Sequence, residues 1–440
     1  MRTRSIIAII PIVFLFMSGC RVKQQQPQLT ANDVSKVINK MTELMVHDVT
    51  NPPLAARFYA YTCLAGYEAA AENNHNLTQM QGKLKQYPYI KKPGYFSGYD
   101  YKLATIFAML QTASKLQPSG KQLVEYEETL ADSCRKVGFD DAVIDSSKSY
   151  AHFIAMKILT YAKADNYNRI SNLPRYKTAG QAGTWVPTPP AFMMPVEPYF
   201  NTIRPFTLDS ASQFKPVPPA PFSTDKNSLF FKYLKQNYQK GEANLSTEEK
   251  DIANFWDCNP FAVQNNGHML IGLKKISPGA HWMAIAGIAC RQANAGFDKA
   301  IKVHTVLAIG LLDGFICCWD EKYRSNRIRP ETAVRRYMDP NWKPFLQTPP
   351  FPEYLSGHSV VSAVADVILS RYFGESFHYT DDTEVSYGVP PRKFSSFHQA
   401  AKEAAISRFF GGIHFMDGID NGFKMGAQAG EHVLETVEKN

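Results

Sequence analysis

Apolar residues recur with the period of an α-helix along most of the chain. From position 34 they continue 3, 4, 7, 10 and 11 residues later, one face of a helix, after the capping candidates Asn32 and Asp33. Alternating strand patterns are weak throughout. The sequence therefore predicts an all-α fold, with helices over about 34–45, 52–71, 98–115, 121–136, 140–164, 300–320, 357–373, 396–410 and 420–437.

One segment departs from this pattern. Residues 185–222 hold ten of the chain's 28 prolines, a density that excludes regular helix and central strand. Disordered linkers are poor in aromatic residues, whereas this segment carries seven. It is predicted to be ordered, extended and wrapped over the helices; its aromatic residues include Trp185, Phe192, Tyr199, Phe200, Phe206 and Phe222.

The proline-rich segment divides the helical pattern in two. An N-terminal helical layer is predicted over 32–184, and a second helical domain over 223–440, where Ser246 and Glu249 have the spacing of a capping box. The stretch 300–320 is apolar on nearly every side, which is typical of a buried central helix. The predicted fold class is two packed helical bundles.

The first residues look like a targeting segment rather than a structural element. Arg2 and Arg4 precede a short apolar run, and Met17-Ser-Gly-Cys20 resembles a bacterial lipobox. The interpretation is a lipoprotein signal peptide over 1–20, lipidation of Cys20 and a polar tether over 21–31. An exported, periplasm-facing lipoprotein, carried by the outer membrane, is expected, with the lipid as its only membrane attachment.

Composition narrows the classes of partner. The net charge is +8 over 440 residues, without the basic runs typical of nucleic-acid binding. Six cysteines follow Cys20 without Cys-x-x-Cys or Cys/His metal spacing, so they are interpreted mainly as small buried apolar residues, the adjacent Cys317 and Cys318 included.

Three strings near the C-terminus carry candidate chemistry. Together they supply three fixed cations, a glycine-containing helix start and two imidazoles within 93 residues, a set that suits a tetrahedral or trigonal-bipyramidal oxyanion. The strings are Lys322-x6-Arg329-Pro330, Ser356-Gly357-His358 and Ser407-Arg408-x5-His414.

Spacing suggests how these groups converge. Lys322 and Arg329, seven apart, would share one helix face, with Pro330 ending that helix. Arg408 and His414, six apart, face one ligand only if the helix breaks, and Gly411-Gly412 supplies the break. His358 is the candidate acid/base, since imidazole titrates near neutrality.

These strings resemble the type 2 phosphatidic acid phosphatase/vanadium haloperoxidase superfamily. The resemblance implies that Lys322, Arg329, Ser356, Gly357 and Arg408 bind the oxyanion and that His358 and His414 are catalytic. It covers about residues 30–437. Further motifs look like the longer haloperoxidase-like branch, namely Trp185-Val-Pro-Thr-Pro-Pro190, Phe255-Trp-Asp257 and Trp319-Asp-Glu-Lys-Tyr323.

Two positions depart from the family pattern. Leu355 stands where the family usually has proline before Ser-Gly-His. The family usually places an aspartate four residues after the last histidine, to orient its ring, but position 418 is glycine. Asp417 is therefore expected to support His414, with Asp420 as the alternative.

Three functions are considered, and the first two follow from the resemblance. The first is phosphomonoester hydrolysis without a cofactor: His414 attacks phosphorus, and His358 protonates the leaving group and then activates water. The second is a haloperoxidase with vanadate as cofactor on His414 and peroxide and halide as substrates. The third is a non-catalytic binding lipoprotein. The phosphatase is the preferred prediction at this point.

Overall fold

The computed structural model describes residues 28–74, 77–265 and 268–439. The predicted signal peptide, with Cys20, and most of the predicted tether lie outside the described residues. Within the described ranges the regular secondary structure is almost entirely helical, so the predicted all-α fold of two helical bundles is confirmed. The α-helices are α1 Ala31–His47, α2 Pro52–Ala71, α3 Tyr101–Leu116, α4 Lys121–Lys136, α5 Asp141–Lys163, α6 Leu229–Gln239, α7 Thr247–Phe255, α8 Pro278–Gln292, α9 Phe297–Ser325, α10 Pro330–Tyr337, α11 Gly357–Phe373, α12 Phe397–Phe410 and α13 Met416–Glu438.

Two short antiparallel hairpins complete the regular structure of the described residues. One pairs β1 with β2, so that Val263 lies opposite Gly272. The other pairs β3 with β4, so that Tyr379 lies opposite Phe394. The strands are β1 Val263–Asn265, β2 Leu270–Gly272, β3 Tyr379–Asp381 and β4 Arg392–Phe394.

Local sequence signals set several helix starts. Thr30, rather than Asn32, caps α1 and forms a capping box with Asp33. The predicted box of Ser246 and Glu249 is present at the start of α7. Helix α6, for which no individual helix was predicted, starts where Ser228 accepts a hydrogen bond from the Phe231 backbone N–H.

Helix α9 is the centre of the molecule. It packs against α2 on one side and against α11 and α13 on the other, so one hydrophobic core joins the two halves of the chain. Among the described helices, α9 alone has the length and apolar composition of a membrane span, yet 94% of that apolar window is buried within the protein. Burial on every side explains its all-round apolar sequence.

The proline-rich segment is ordered and bound to α9. The carboxylate of Asp313, buried in α9, accepts hydrogen bonds from the backbone N–H of Phe206 (2.8 Å) and from both the backbone N–H (2.8 Å) and the hydroxyl of Thr207 (2.6 Å). Trp185 and Phe206 are fully buried, whereas Phe192 is 62% exposed. A polar group inside an apolar helix therefore fixes the wrapping segment, a role that helical periodicity does not reveal.

Candidate active site

Lys322 and Arg329 do not share a helix. Helix α9 ends at Ser325, and Asn326 follows with a left-handed φ of 46°. Arg329 is the N-cap of α10 and Pro330 its first residue, so the proline begins the next helix instead of ending α9. The prediction of two cations on one helix face is wrong, because the chain turns between them.

The ammonium group of Lys322 binds the loop that precedes Ser356. It donates hydrogen bonds to the backbone carbonyls of Pro352 (3.0 Å), Glu353 (3.1 Å) and Leu355. Burial lowers the pKa of Lys322 to about 7, and the charge of Arg329 acts in the same direction. Lys322 thus fixes the loop that leads into α11.

Two buried guanidinium groups keep part of their hydrogen-bonding capacity unused. Arg329 donates from Nε to the Phe351 carbonyl (2.8 Å) and from Nη1 to the Ile413 carbonyl (2.9 Å). Arg408 donates from Nη1 to the Trp256 carbonyl (2.8 Å). Among the described residues, Arg329 Nη2 and Arg408 Nε and Nη2 have no hydrogen-bond partner. Arg408 Nη2 lies 3.9 Å from Asp257 Oδ1, too far for a hydrogen bond. Buried donors of this kind usually have a partner, so these three nitrogens are available to a ligand.

Ser356, Gly357 and His358 form the start of α11, as predicted. The hydroxyl of Ser356 caps the helix by accepting a hydrogen bond from the Ser359 backbone N–H (3.3 Å). Gly357 is the first helical residue, and a Cβ there would come within 3.7 Å of the Trp319 ring. His358 Nε2 is buried without a hydrogen-bond partner among the described groups. The helix start and the imidazole therefore face the same space.

His414 lies in the break between α12 and α13. Helix α12 ends at Phe410, and Gly412 has φ +73°, a backbone conformation that suits glycine. The His414 ring is held at both nitrogens. Nδ1 lies 2.8 Å from Glu353 Oε1, and Nε2 lies 3.1 Å from Arg329 Nη1. These partners assign the ring proton to Nδ1 and leave Nε2 as an acceptor.

Glu353, not an aspartate after His414, orients this ring. Asp417 instead accepts two hydrogen bonds from Arg327, from Nη1 (2.7 Å) and Nη2 (2.8 Å), and Arg327 also pairs with Glu353. Asp420 is exposed. The expectation that Asp417 or Asp420 supports His414 is therefore wrong. Sequence reasoning missed Glu353 because it lies 61 residues before His414.

Gly418 explains how this exchange fits sterically. A Cβ at position 418 would lie 2.6 Å from Glu353 Oε1, closer than side chains tolerate. An acidic side chain at 418 and the carboxylate of Glu353 therefore exclude each other in this arrangement. The glycine that departs from the family pattern was the signal in the sequence that the acid comes from elsewhere.

The site is buried and strongly electropositive. Burial lowers the pKa of His414 well below its usual value, and the charges of Arg329, Lys322 and Arg408 lower it further. Burial likewise lowers the pKa of His358, with Arg408 and His414 as further causes. Both imidazoles are thus neutral at neutral pH in the protein without a ligand.

The site residues surround one small cavity of about 30 Å³. Gly357, His358, Arg408 and His414 line it; Lys322, Arg329 and Ser356 are not among its lining residues, but Arg329 Nη1 lies 3.1 Å from His414 Nε2. Cys258 and Asn259 also line it, and apolar rings form the rest, including Pro52 from α2, so both halves of the chain contribute; the other rings are Pro260, Phe261, Pro278, Phe315, Trp319, Pro349 and Phe351.

This environment fits an oxyanion such as vanadate. At this site, four buried nitrogens lack a hydrogen-bond partner, namely three guanidinium donors and His358 Nε2. Buried cations with free donors are the groups that bind oxyanions most strongly. Gly357 adds a helix N-terminus against the cavity. An anion there would satisfy donors that the protein leaves unpaired.

Comparisons with known proteins agree with this chemistry. Residues 302–440 match the family described as the VCPO second helical-bundle domain. A solved structure described as the first bacterial vanadium-dependent iodoperoxidase is 43% identical, with 94% of this chain and 98% of that chain covered and a TM-score of 0.87. A search of curated protein sequences gives no significant match.

Two more distant structures share the fold alone. An apo-type bacterial vanadium-dependent chloroperoxidase is 16% identical, with 88% of this chain and 94% of that chain covered and a TM-score of 0.66. The holo-type form is also 16% identical, with 94% and 96% covered and a TM-score of 0.63. The 43% identity along nearly the full length shows that the chain belongs to the type 2 phosphatidic acid phosphatase/vanadium haloperoxidase superfamily.

Proposed function

We propose that this protein is a vanadium-dependent haloperoxidase that oxidises iodide with hydrogen peroxide. The observation that carries the proposal is the set of unpaired buried donors around one cavity, in a chain 43% identical to a bacterial vanadium-dependent iodoperoxidase. The choice of iodide rests on that relative, since the chloroperoxidases at 16% identity support the fold only. The haloperoxidase alternative thus replaces the phosphatase as the preferred function; phosphomonoester hydrolysis is not confirmed.

Cavity size supports the same choice. A phosphomonoester brings an organic alcohol that must be accommodated next to the phosphate, whereas peroxide and halide are small. The cavity of about 30 Å³ is walled by proline and aromatic rings and leaves little room for such an alcohol. An apolar wall also excludes water from the reacting groups, which strengthens electrostatic interactions inside.

The residues of the chain have distinct tasks in this proposal. Vanadate, when bound, supplies the Lewis-acidic centre at which peroxide is activated for halide oxidation. Arg408 and Arg329 hold the oxyanion through their free guanidinium donors, and His414 offers Nε2. Glu353 keeps the His414 proton on Nδ1. His358 accepts or releases a proton at Nε2 beside the cavity.

The direct test compares two activities on one preparation. The purified protein is stripped of vanadate, and iodide oxidation by hydrogen peroxide is measured before and after vanadate is added, together with hydrolysis of p-nitrophenyl phosphate. We expect iodide oxidation only after vanadate loading, and its loss in His414→Ala. The exposed His152→Ala is the matched control and should retain the activity.

Two outcomes would contradict the proposal. Hydrolysis of p-nitrophenyl phosphate that vanadate inhibits, without iodide oxidation, would make the protein a phosphatase. Absence of both activities, with His414→Ala indistinguishable from the wild type in vanadate binding, would leave a non-catalytic binding protein.

We further propose that the mature protein is a periplasm-facing lipoprotein attached through Cys20. The support is the sequence Met17-Ser-Gly-Cys20 after a short apolar run. Radiolabelled palmitate should enter the wild type expressed in a bacterial host and not Cys20→Ser, and membrane fractions should contain the wild type only. Equal labelling of both proteins would contradict the anchor.

A further inference from the structure

A second cluster of potential ligands lies next to the candidate active site. Cys258, in the loop after α7, contacts His281 in α8 and Glu384 in the segment after β3. All three side chains are buried. They are distant in the sequence and show no metal-binding spacing, so tertiary structure alone brings them together.

The distances between the ligand atoms match a tetrahedral metal site. Cys258 Sγ is 3.3 Å from His281 Nδ1, His281 Nδ1 is 3.7 Å from Glu384 Oε1, and Cys258 Sγ is 3.9 Å from Glu384 Oε1. Zinc bonds of about 2.0–2.3 Å in a tetrahedron place neighbouring ligand atoms about 3.3–3.6 Å apart. The three atoms are therefore within a few tenths of an ångström of the required spacing.

The far nitrogen of His281 also has the partner that a metal-bound histidine usually has. His281 Nε2 lies 2.8 Å from Asp381 Oδ2, and Asp381 accepts a further hydrogen bond from the Thr383 backbone N–H (3.0 Å). A carboxylate on the far nitrogen is the usual partner of a zinc-bound histidine, because it fixes the ring and its tautomer. The His281 ring is additionally stacked on Trp256, with centroids 4.7 Å apart.

Glu384 is the member of this cluster with the weakest contacts. Among the described residues, the nearest polar partners of its carboxylate are His281 Nδ1 at 3.7 Å and Cys258 Sγ at 3.9 Å. Both distances are long for a hydrogen bond to oxygen, and a buried carboxylate without a strong partner is costly. A cation between the three groups would remove that cost.

A route to the cluster is open from the surface. Glu384 lines a cavity of about 410 Å³ together with Asp257 and Lys275. On the other side, Cys258 lines the small cavity that His358 and Arg408 share. A metal ion can thus enter from the larger cavity, and solvent there can supply a fourth ligand.

We propose that Cys258, His281 and Glu384 bind one Zn²⁺ ion. Sulfur, imidazole and carboxylate in a tetrahedral arrangement favour zinc among the common divalent ions. Binding exchanges the thiol proton of Cys258, which is released to solvent, for a thiolate–zinc bond. The ion connects the 256–258 loop to α8 and to the segment after β3. The Trp256 carbonyl of that loop accepts a hydrogen bond from Arg408 Nη1.

Metal content is the first readout, on protein made without a histidine tag. After dialysis against a chelator, the protein is incubated with zinc chloride, freed of unbound metal and analysed by mass spectrometry. We expect one zinc per chain in the wild type and in the control Cys290→Ala. This control removes a different buried thiol, which lies in α8 outside the cluster. Cys258→Ala and Glu384→Gln should bind much less.

Cobalt gives a readout that is independent of halide oxidation and of vanadate. Co²⁺ in place of zinc should show a thiolate charge-transfer band in the wild type and Cys290→Ala that is absent in Cys258→Ala. Less than a tenth of an equivalent of zinc in the wild type would overturn the proposal. Equal zinc in the wild type and Glu384→Gln would do so even if Cys258→Ala failed to fold.

Discussion

The carboxylate of Glu353 and the imidazole of His414 form a hydrogen-bonded pair, with Oε1 and Nδ1 2.8 Å apart. The same oxygen accepts a hydrogen bond from the Phe415 backbone N–H (3.1 Å). Lys322 holds the backbone of the Glu353 loop through three carbonyls. One cation and one carboxylate thus determine the direction of the ring.

Replacing Glu353 by glutamine should weaken vanadate binding about 10–100-fold, because the partner that orients a ligand histidine loses its charge. The measurement is a titration of halide-oxidising activity, or of thermal stability, with vanadate. An affinity equal to that of the wild type would mean that the carboxylate has no part in the site.

Asp417→Asn is the matched control for Glu353→Gln. Both changes break a buried pair with Arg327, but only Glu353 contacts His414. We expect Asp417→Asn to lower the free energy of unfolding by about 3–5 kcal/mol, since it leaves a buried guanidinium partly uncompensated. Its vanadate affinity should fall less than that of Glu353→Gln, and the reverse order would support the aspartate predicted from the sequence.

Moving the acid across the site should restore part of the function. Gly418→Asp alone should impair folding and vanadate binding, because the new side chain meets the Glu353 carboxylate at 2.6 Å from Cβ. Combined with Glu353→Ala, it should bind vanadate more tightly than Glu353→Ala alone. A double variant no better than that single variant would show that an acid at 418 cannot reach the ring here.

Stability without vanadate should depend on pH through His358. Its folded-state pKa is lowered by burial, so as pH falls below about 6.5 the unfolded chain takes up a proton that the folded protein does not. The stability that the neutral His358 contributes is fully present above about pH 6.5. Below that pH, the free energy of unfolding falls by up to about 1.4 kcal/mol per pH unit. Denaturant unfolding between about pH 7 and pH 5 should therefore show a smaller pH dependence in His358→Gln. The exposed His152→Gln should retain the wild-type slope, and parallel profiles for His358→Gln would refute the assignment.

Asp313 should decide whether the proline-rich segment stays bound. Asp313→Ala removes the acceptor of three hydrogen bonds, and a loss of about 3 kcal/mol in the free energy of unfolding is expected. Thr207→Val removes only the hydroxyl bond and should cost about 1 kcal/mol. Limited proteolysis should cut within 185–222 faster in Asp313→Ala, and identical cleavage would show that the aromatic side chains suffice.

Most helix positions could be predicted from the sequence, because they follow from local chemistry. The apolar period, the Ser246–Glu249 box and the glycines before His414 each act within a few residues, and the observed helices begin and end close to the predicted positions. Three helices, α6, α8 and α10, were not identified individually. The prediction that Pro330 ends the helix of Lys322 and Arg329 was wrong, because a proline suits the first turn of a helix as well as a position after its end.

The sequence by itself determined that the chain is helical, that a proline-rich segment interrupts it and that three strings carry oxyanion chemistry, since periodicity and side-chain type are local properties. Only the tertiary structure decided which acid supports His414, which donors remain unpaired and which residues surround the cavity. Glu353 contacts His414 across 61 positions of sequence, and Cys258 contacts Glu384 across 126. Contacts between residues so far apart in sequence are set by helix packing rather than by spacing along the chain.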